Sequence, residues 1–197
     1  ALGRLVRDRL VGKIERGTGT LSSTRFLHTE PHHDDLMLGY LPYIVRHTRD
    51  ASNVHYFVCF TGGFTAVTNG FIEAHLEKVR RFLPTPECAG LLAEGYFDPA
   101  YENGRNRDVW QYLDGVAAAD EAMRDEGAAR RFLRNLIALF GSDGIEEKIW
   151  ELVAYFREHY PGQKDAPEVQ GLKSMCREFE AECIWGYIGW DCANVKH

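Results

Sequence analysis

The chain has 197 residues, of which 45% are hydrophobic and 26% charged, and its formal net charge is −6. These values are typical of one globular domain, and the negative charge argues against nucleic acid as a partner because phosphate binding needs a basic surface. No segment approaches the roughly 18 apolar residues that a membrane-spanning helix requires, so no membrane partner is expected. The five cysteines form no Cys-x-x-Cys pair, which favours reduced thiols in the cytoplasm.

The first 24 residues predict a helix and a linker ahead of the main domain. Leucine, valine and isoleucine recur every four residues from Leu2 to Ile14, which is the spacing of one face of a helix. Residues 17–24 are mostly glycine, serine and threonine and predict a flexible linker. The main domain is therefore expected to occupy residues 25–197.

Two short apolar segments predict neighbouring strands of a parallel sheet. Residues 26–30 lead into a cluster of histidine and aspartate, and an amphipathic helical pattern follows at 36–45. Residues 54–60 are mostly β-branched and aromatic, as in a buried parallel strand, and they end at Thr61-Gly62-Gly63. Because ligands bind at the carboxyl ends of such strands, we expect the cluster and the glycine pair to lie side by side. His55 lies at the opposite end of its strand and is expected to be structural.

The cluster places His32, His33, Asp34 and Asp35 in four consecutive positions. At the first turn of a helix, the unpaired amides and the helix dipole keep carboxylates ionised. His32 and Asp35 are three residues apart and can reach one point, and imidazole with carboxylate is a ligand set for zinc or another divalent metal. Asp34 would leave at a different angle and act on a water as a general base. The alternative is that Asp34 only caps the helix and the histidines are partly exposed loop residues.

Residues 70–170 form a long and mostly helical segment between the second strand and the last helix. Apolar residues at helical spacing predict helices at residues 71–83, 132–140 and 145–156. We expect residues 90–108 to be irregular and His75 to lie on the surface. Arg105 and Arg107 would either bind a sugar phosphate or be exposed loop arginines. The whole segment would cap the site and select the substrate, or serve as a docking surface.

The last part of the chain predicts a helix followed by a third strand. Apolar residues from Leu172 to Cys183 follow a 3.6-residue spacing, which indicates a helix with one buried face. Arg177 and Glu180 lie off that face, three residues apart, and are expected to pair on the helix surface. Residues 192–197 have the character of an opening strand, so we expect the domain to continue beyond residue 197.

Three of these motifs together resemble one enzyme family. Pro31-His32-His33-Asp34-Asp35 resembles the His-Pro-Asp-Asp signature of the LmbE-like, or PIG-L, de-N-acetylases. These zinc-dependent enzymes remove acyl groups from N-acetylglucosamine-type amino sugars. Thr61-Gly62-Gly63 is similar to their Thr-x-Gly loop, and Arg177-x-x-Glu180 is similar to their Arg-x-x-Glu helix, in the same order. The sequence around the first motif looks closest to a domain that is fused behind a glucosamine-6-phosphate deaminase-like domain in some bacterial proteins.

The resemblance implies a fold, an activity and a set of roles. The implied fold is a Rossmann-like α/β fold, with a parallel sheet flanked by helices and a large helical insertion. His32 and Asp35 would bind zinc, Asp34 would be the general base, and the substrate would contact four residues: His33, Thr61, Gly62 and Gly63. The implied reaction removes the N-acetyl group from an amino sugar that is either free or phosphorylated. The implied partner is a fused deaminase-like domain or a second copy of the chain.

The sequence also departs from the family pattern. His33 stands where the family usually has proline, Leu36 stands where it often has glutamate, and nothing matches the family's third metal ligand, a later histidine. His159 ends a predicted helix and is expected to be exposed. Because a catalytic zinc normally has three protein ligands, these departures favour a second hypothesis, a non-catalytic sugar-binding or regulatory module. A nucleotide-binding sheet has only the Thr-Gly-Gly loop in its favour, since no Gly-x-Gly-x-x-Gly follows the first strand.

Overall fold

The computed structural model describes residues 1–160 and 162–197. The helices and strands follow in the order α1 (Leu2–Thr18), β1 (Arg25–Glu30), α2 (Asp35–Gly39), α3 (Leu41–Thr48), β2 (Val54–Cys59), α4 (Asn69–Phe82), α5 (Pro86–Ala93), α6 (Glu102–Ala117), α7 (Glu121–Phe140), α8 (Ile145–Glu158), α9 (Pro167–Tyr187) and β3 (Val195–Lys196). Short 3₁₀ turns at Phe64–Ala66 and Cys192–Asn194 precede α4 and β3. The fold class is therefore mixed α/β, as the sequence predicts.

The three strands form one parallel sheet in the order β1-β2-β3. The register pairs the last residues of β1 and β2, Glu30 and Cys59, so their carboxyl ends meet at one edge as expected. Phe57, in the middle of β2, stacks on Trp185 of α9 with ring centroids 3.7 Å apart. Both aromatic side chains are fully buried. This stacking fixes α9 against one face of the sheet.

Helices α4, α5, α7 and α8 form a second and larger core. Together with α6, they are here called the helical layer. Its fully buried side chains include Leu76 of α4, Leu133 of α7 and Ile149 of α8. Helix α9 belongs to both cores: Leu172, near its start, packs in the helical layer, whereas Trp185, near its end, packs under the sheet. The helical layer is therefore attached to the sheet through α9.

The prediction of an irregular region at residues 90–108 is wrong, because α5 and most of the first half of α6 lie there. The buried face of α6 is polar, which hides its helical period from a hydrophobicity pattern. Asp108 is buried and pairs with Arg134 of α7, with 2.7 Å between Oδ2 and Nε. Arg105 pairs with the buried Glu182, and the Arg107 guanidinium lies over the Tyr96 ring. These are helix arginines rather than loop arginines.

Three other elements refine or correct the sequence predictions. The helix expected after the cluster is two short helices, because the chain changes direction at Tyr40 and Pro42 then starts α3. The prediction of an exposed His159 is wrong: its side chain is 5% exposed and lies 3.3 Å from Asp165. Helix α1 is present as predicted and nearly all of it is exposed. Across residues 1–160 and 162–197, no helix has both the length and the apolarity to cross a membrane.

Candidate functional site

The cluster forms a tight corner between β1 and α2. The backbone N–H of Asp35 donates to the carbonyl of His32 (3.1 Å), which closes the turn. The Asp35 carboxylate, through Oδ2, accepts the backbone N–H of His32 at 2.9 Å. The Asp34 carboxylate, through Oδ1, lies 2.7 Å from Nδ1 of His32, and this hydrogen bond lowers the pKa of Asp34. Asp34 stands at the N-cap position of α2, but its carboxylate is directed at the histidine, so both carboxylates act on His32.

The loop after β2 closes against this corner. The Thr61 hydroxyl donates to the Pro31 carbonyl at 2.5 Å. Gly63 has a φ of +56°, and a Cβ at this position would overlap the His32 imidazole. A Cβ at Gly62 would come within 2.6 Å of the Ser174 hydroxyl oxygen in α9. An added Cβ at either glycine would therefore meet protein atoms, those of a corner histidine and of α9. The expected substrate contact of the two glycines stays a prediction.

Helix α9 brings two more charged groups to the corner. The Arg177 guanidinium lies 3.1 Å from Nε2 of His32, and it also pairs with Glu180. The Glu180 carboxylate in turn lies 3.4 Å from Nε2 of His33. Because a guanidinium can only donate, Nε2 of His32 is the acceptor and Nδ1 carries the proton that Asp34 accepts. The expected Arg177–Glu180 pair is present, and it faces the histidines of the corner.

Glu30 is a buried carboxyl group behind the corner that the sequence analysis did not single out. Its side chain is 1% exposed, and burial raises its pKa to about 7. Its Oε2 accepts the backbone N–H of Leu36 at 3.4 Å, whereas its Oε1 has no hydrogen-bond partner within the described residues. One signal was available: strand alternation places Glu30 on the same face as His28, which is the buried face.

A cavity of about 490 Å³ adjoins the corner on the side of His33 and Glu180. Helices α4, α6 and α7 line it on one side and α9 lines it on the other. His75 is among its lining residues, so the prediction of a surface position for this histidine is wrong. Its Nδ1 donates to the Phe71 carbonyl at 2.9 Å, and burial lowers its pKa. His75 is therefore neutral, with Nε2 as an acceptor.

Comparisons with known protein families, with curated proteins and with solved structures found no match to this chain. The resemblance described above therefore rests on its three motifs and their arrangement.

The corner residues meet part of the requirement for a divalent metal. His32 offers an imidazole and Asp35 a carboxylate, and zinc binds both kinds of donor. The Asp35 carboxylate also accepts the backbone N–H of His32. Within the described ranges, however, no group of three or more histidine, cysteine, aspartate or glutamate side chains is arranged to hold a metal ion. The Arg177 guanidinium also lies on the Nε2 side of His32. Among the described residues, His32 and Asp35 are therefore two candidate donors, whereas a catalytic zinc normally takes three protein ligands.

Proposed function

We propose that this corner is the active site of a metal-dependent hydrolase on an LmbE-like, Rossmann-like sheet. The substrate is an N-acetylglucosamine-type amino sugar, free or phosphorylated, and the reaction removes its N-acetyl group. One observation carries the proposal. Three motifs that are far apart in the sequence converge on His32, with Asp34 from its own turn, Gly63 after the next strand and Arg177 from α9.

His32 and Asp35 are the proposed metal ligands, and no third ligand is assigned among the described residues. Zinc, or another divalent metal, would supply Lewis-acid polarisation of the acetyl carbonyl and of a water. Asp34 holds the Nδ1 proton of His32 and so orients the imidazole. Its carboxylate is 54% exposed and has a lowered pKa, so it is ionised at neutral pH and can accept a proton from that water.

The remaining proposed roles concern the rim of the site. His33 lines the cavity and is held by Glu180, so it can contact the sugar. Thr61, Gly62 and Gly63 lie in the loop that packs against His32, and their proposed role is to contact the substrate through the backbone. The resemblance adds a fused deaminase-like domain or a second copy of the chain as partner. A cytoplasmic location is in keeping with the five cysteines, which are all free thiols.

A second candidate function is a sugar-binding or regulatory module without catalysis. Two observations favour it: the described residues provide only two metal donors, and a guanidinium lies 3.1 Å from the nitrogen of His32 that would bind metal. In this case Arg177 and the corner carboxylates would bind hydroxyl and acetyl groups directly.

Turnover by the full-length protein separates the two functions. We would measure release of free amine from N-acetylglucosamine and its 6-phosphate, with added zinc, for the native protein and Asp34→Asn. Loss of a general base lowers kcat by about 100-fold or more, and the melting temperature should not change because Asp34 is half exposed. Asp8→Asn, an exposed position on α1, is the matched control and should retain full activity. A fully active Asp34→Asn variant would refute the assigned base, and an inactive native protein would favour the binding module.

A further inference from the structure

The cavity beside the corner is rich in hydrogen-bond donors that face a common space. Lys78 of α4, Arg124 and Asn135 of α7 and Tyr112 of α6 all line it. An ammonium and a guanidinium can only donate, and an amide and a phenol can each donate as well. A ligand that fits this lining must therefore present several acceptor oxygens.

Asn135 gives independent evidence that the cavity is built for a ligand. Its side chain is only 3% exposed, and its Nδ2 has no hydrogen-bond partner in the part of the chain that the structure describes. A buried donor without an acceptor has lost its hydrogen bonds to water and gained none in return, which is unfavourable. An acceptor oxygen placed in the cavity would remove that cost, so the amide favours an occupied cavity over an empty one.

The charges around the cavity favour an anionic ligand. Lys78 pairs with Asp125 at 2.9 Å, and Arg124 approaches the same carboxylate at 3.4 Å. Two cations thus share one anion, which leaves an excess positive charge at the cavity wall. The carboxylate that lines the cavity, Glu180, is already paired with Arg177. Positive charge is therefore available at the α4–α7 end, away from the corner motif.

We propose that Lys78, Arg124 and Asn135 form a subsite for an oxyanion, either a phosphate or a carboxylate, that the ligand carries. The inference rests on the proposed function for the rest of that ligand, an N-acetylated amino sugar whose acetyl group lies at His32–Asp35. The unprotonated Nε2 of His75 accepts a sugar hydroxyl in the same cavity. The helical layer is then the part of the protein that selects charged amino sugars over neutral ones.

Inorganic phosphate tests the subsite without any sugar. We would titrate the native protein and three variants by calorimetry at low ionic strength. Lys78→Met should weaken phosphate binding about tenfold, the size expected for one charge-assisted contact. Asp125→Asn should tighten binding, because it frees both cations from their shared counter-ion. Lys148→Met is the matched control: it removes a lysine that is paired with Glu151 outside the cavity, and it should change nothing.

Three sugars then identify the source of the anion. N-acetylglucosamine, its 6-phosphate and the carboxylate-bearing N-acetylmuramic acid would be titrated against the native protein and Lys78→Met. Tighter binding of either anionic sugar, lost in Lys78→Met, supports the subsite and shows which anion it takes. Equal binding of all three sugars overturns the subsite while leaving the amino-sugar proposal intact. Phosphate binding without binding of any sugar overturns the amino-sugar proposal instead. Equal weakening by Lys78→Met and Lys148→Met would show only diffuse surface attraction and would also overturn the subsite.

Discussion

Two groups of histidines lie at the sheet, one at the corner after β1 and one on the strands β1 and β2 themselves, and their surroundings are opposite in character. At the carboxyl end, His32 and His33 lie against Asp34, Arg177 and Glu180, so each ring has a charged partner. Within the sheet, the His28 ring of β1 and the His55 ring of β2 stack on each other, with Nε2 and Nδ1 2.9 Å apart. This second group, with the stacked Phe26 ring beside it, is here called the histidine stack.

Burial and partner chemistry explain the difference. A buried imidazole without a carboxylate loses hydration when it is charged, so its neutral form is favoured. Desolvation is the main reason that the pKa of His28 falls to about 4, and the neighbouring His55 and His47 lower it further. The histidine stack is therefore apolar core with an internal hydrogen bond. The corner histidines instead have charged side chains as partners.

Metal binding should show the largest difference between the corner and the histidine stack. In the full-length protein with zinc, Asp35→Ala should lower zinc affinity by at least about 100-fold, because second-shell changes alone cost 10–100-fold. Metal content after dialysis, measured by atomic emission, checks this. Asp8→Ala is the control and should retain the metal. If Asp35→Ala keeps its zinc, the corner is not the metal site and the contrast with the histidine stack loses its functional meaning.

The histidine stack should instead control acid stability. The pKa of His28 is 6.5 in the unfolded chain and about 4 in the folded one, so between these values the unfolded state binds more protons. Its contribution to the free energy of unfolding is complete above pH 6.5 and is lost as the pH falls to 4, by up to roughly 3 kcal/mol. Urea unfolding at several pH values would measure this effect. The free energy of unfolding should depend less steeply on pH in His28→Phe than in the native protein. An unchanged slope would mean that the stack carries charge in the folded state.

Glu30 lies where the buried face meets the corner, and it should have the opposite pH dependence. Its pKa rises from 4.5 to about 7 on folding, so the folded state binds more protons between these values. Stability from this group is present below pH 4.5 and is lost as the pH rises to 7, by up to roughly 3 kcal/mol. Glu30→Gln removes this loss and should gain stability, relative to the native protein, as the pH rises from 4.5 to 8. Equal stability differences at pH 4.5 and pH 8 would contradict a neutral buried carboxyl group.

The smallest effect concerns the glycine that touches the corner. Gly63→Ala must place a Cβ at positive φ and against His32, and it should cost roughly 1–3 kcal/mol. Gly70→Ala is the control, since this glycine lies in the first turn of α4 and an added Cβ would meet nothing within 4 Å. The control should be neutral or slightly stabilising. Chemical denaturation compares the two. Equal changes in the free energy of unfolding for Gly63→Ala and Gly70→Ala would show that Gly63 does not pack closely against His32.

Local patterns predicted the strands, the corner and the later helix correctly, because each is encoded by residues close in sequence. Strand β2 is recognisable from its β-branched and aromatic run, and Arg177 with Glu180 from their spacing on α9. The polar interior was not predictable in the same way. From the sequence alone, Asp108 is typical of a loop. Its buried position on α6 depends on its ion pair with Arg134, which lies 26 positions later. Asn135 and His75 lie on helices that carry both charged and apolar residues, and only the packing of α4, α6 and α7 shows that they line a cavity.

Helix α9 has a consequence for how the protein opens. Leu172 is anchored in the helical layer, Trp185 is anchored under the sheet, and Arg177 lies between them at the corner. Because neither core can separate without releasing this helix, its amide hydrogens should exchange with solvent only when the whole structure unfolds. The amides of α1, which is nearly all exposed, should exchange by local fraying. The corner and the cavity therefore fold and unfold together, as one cooperative unit.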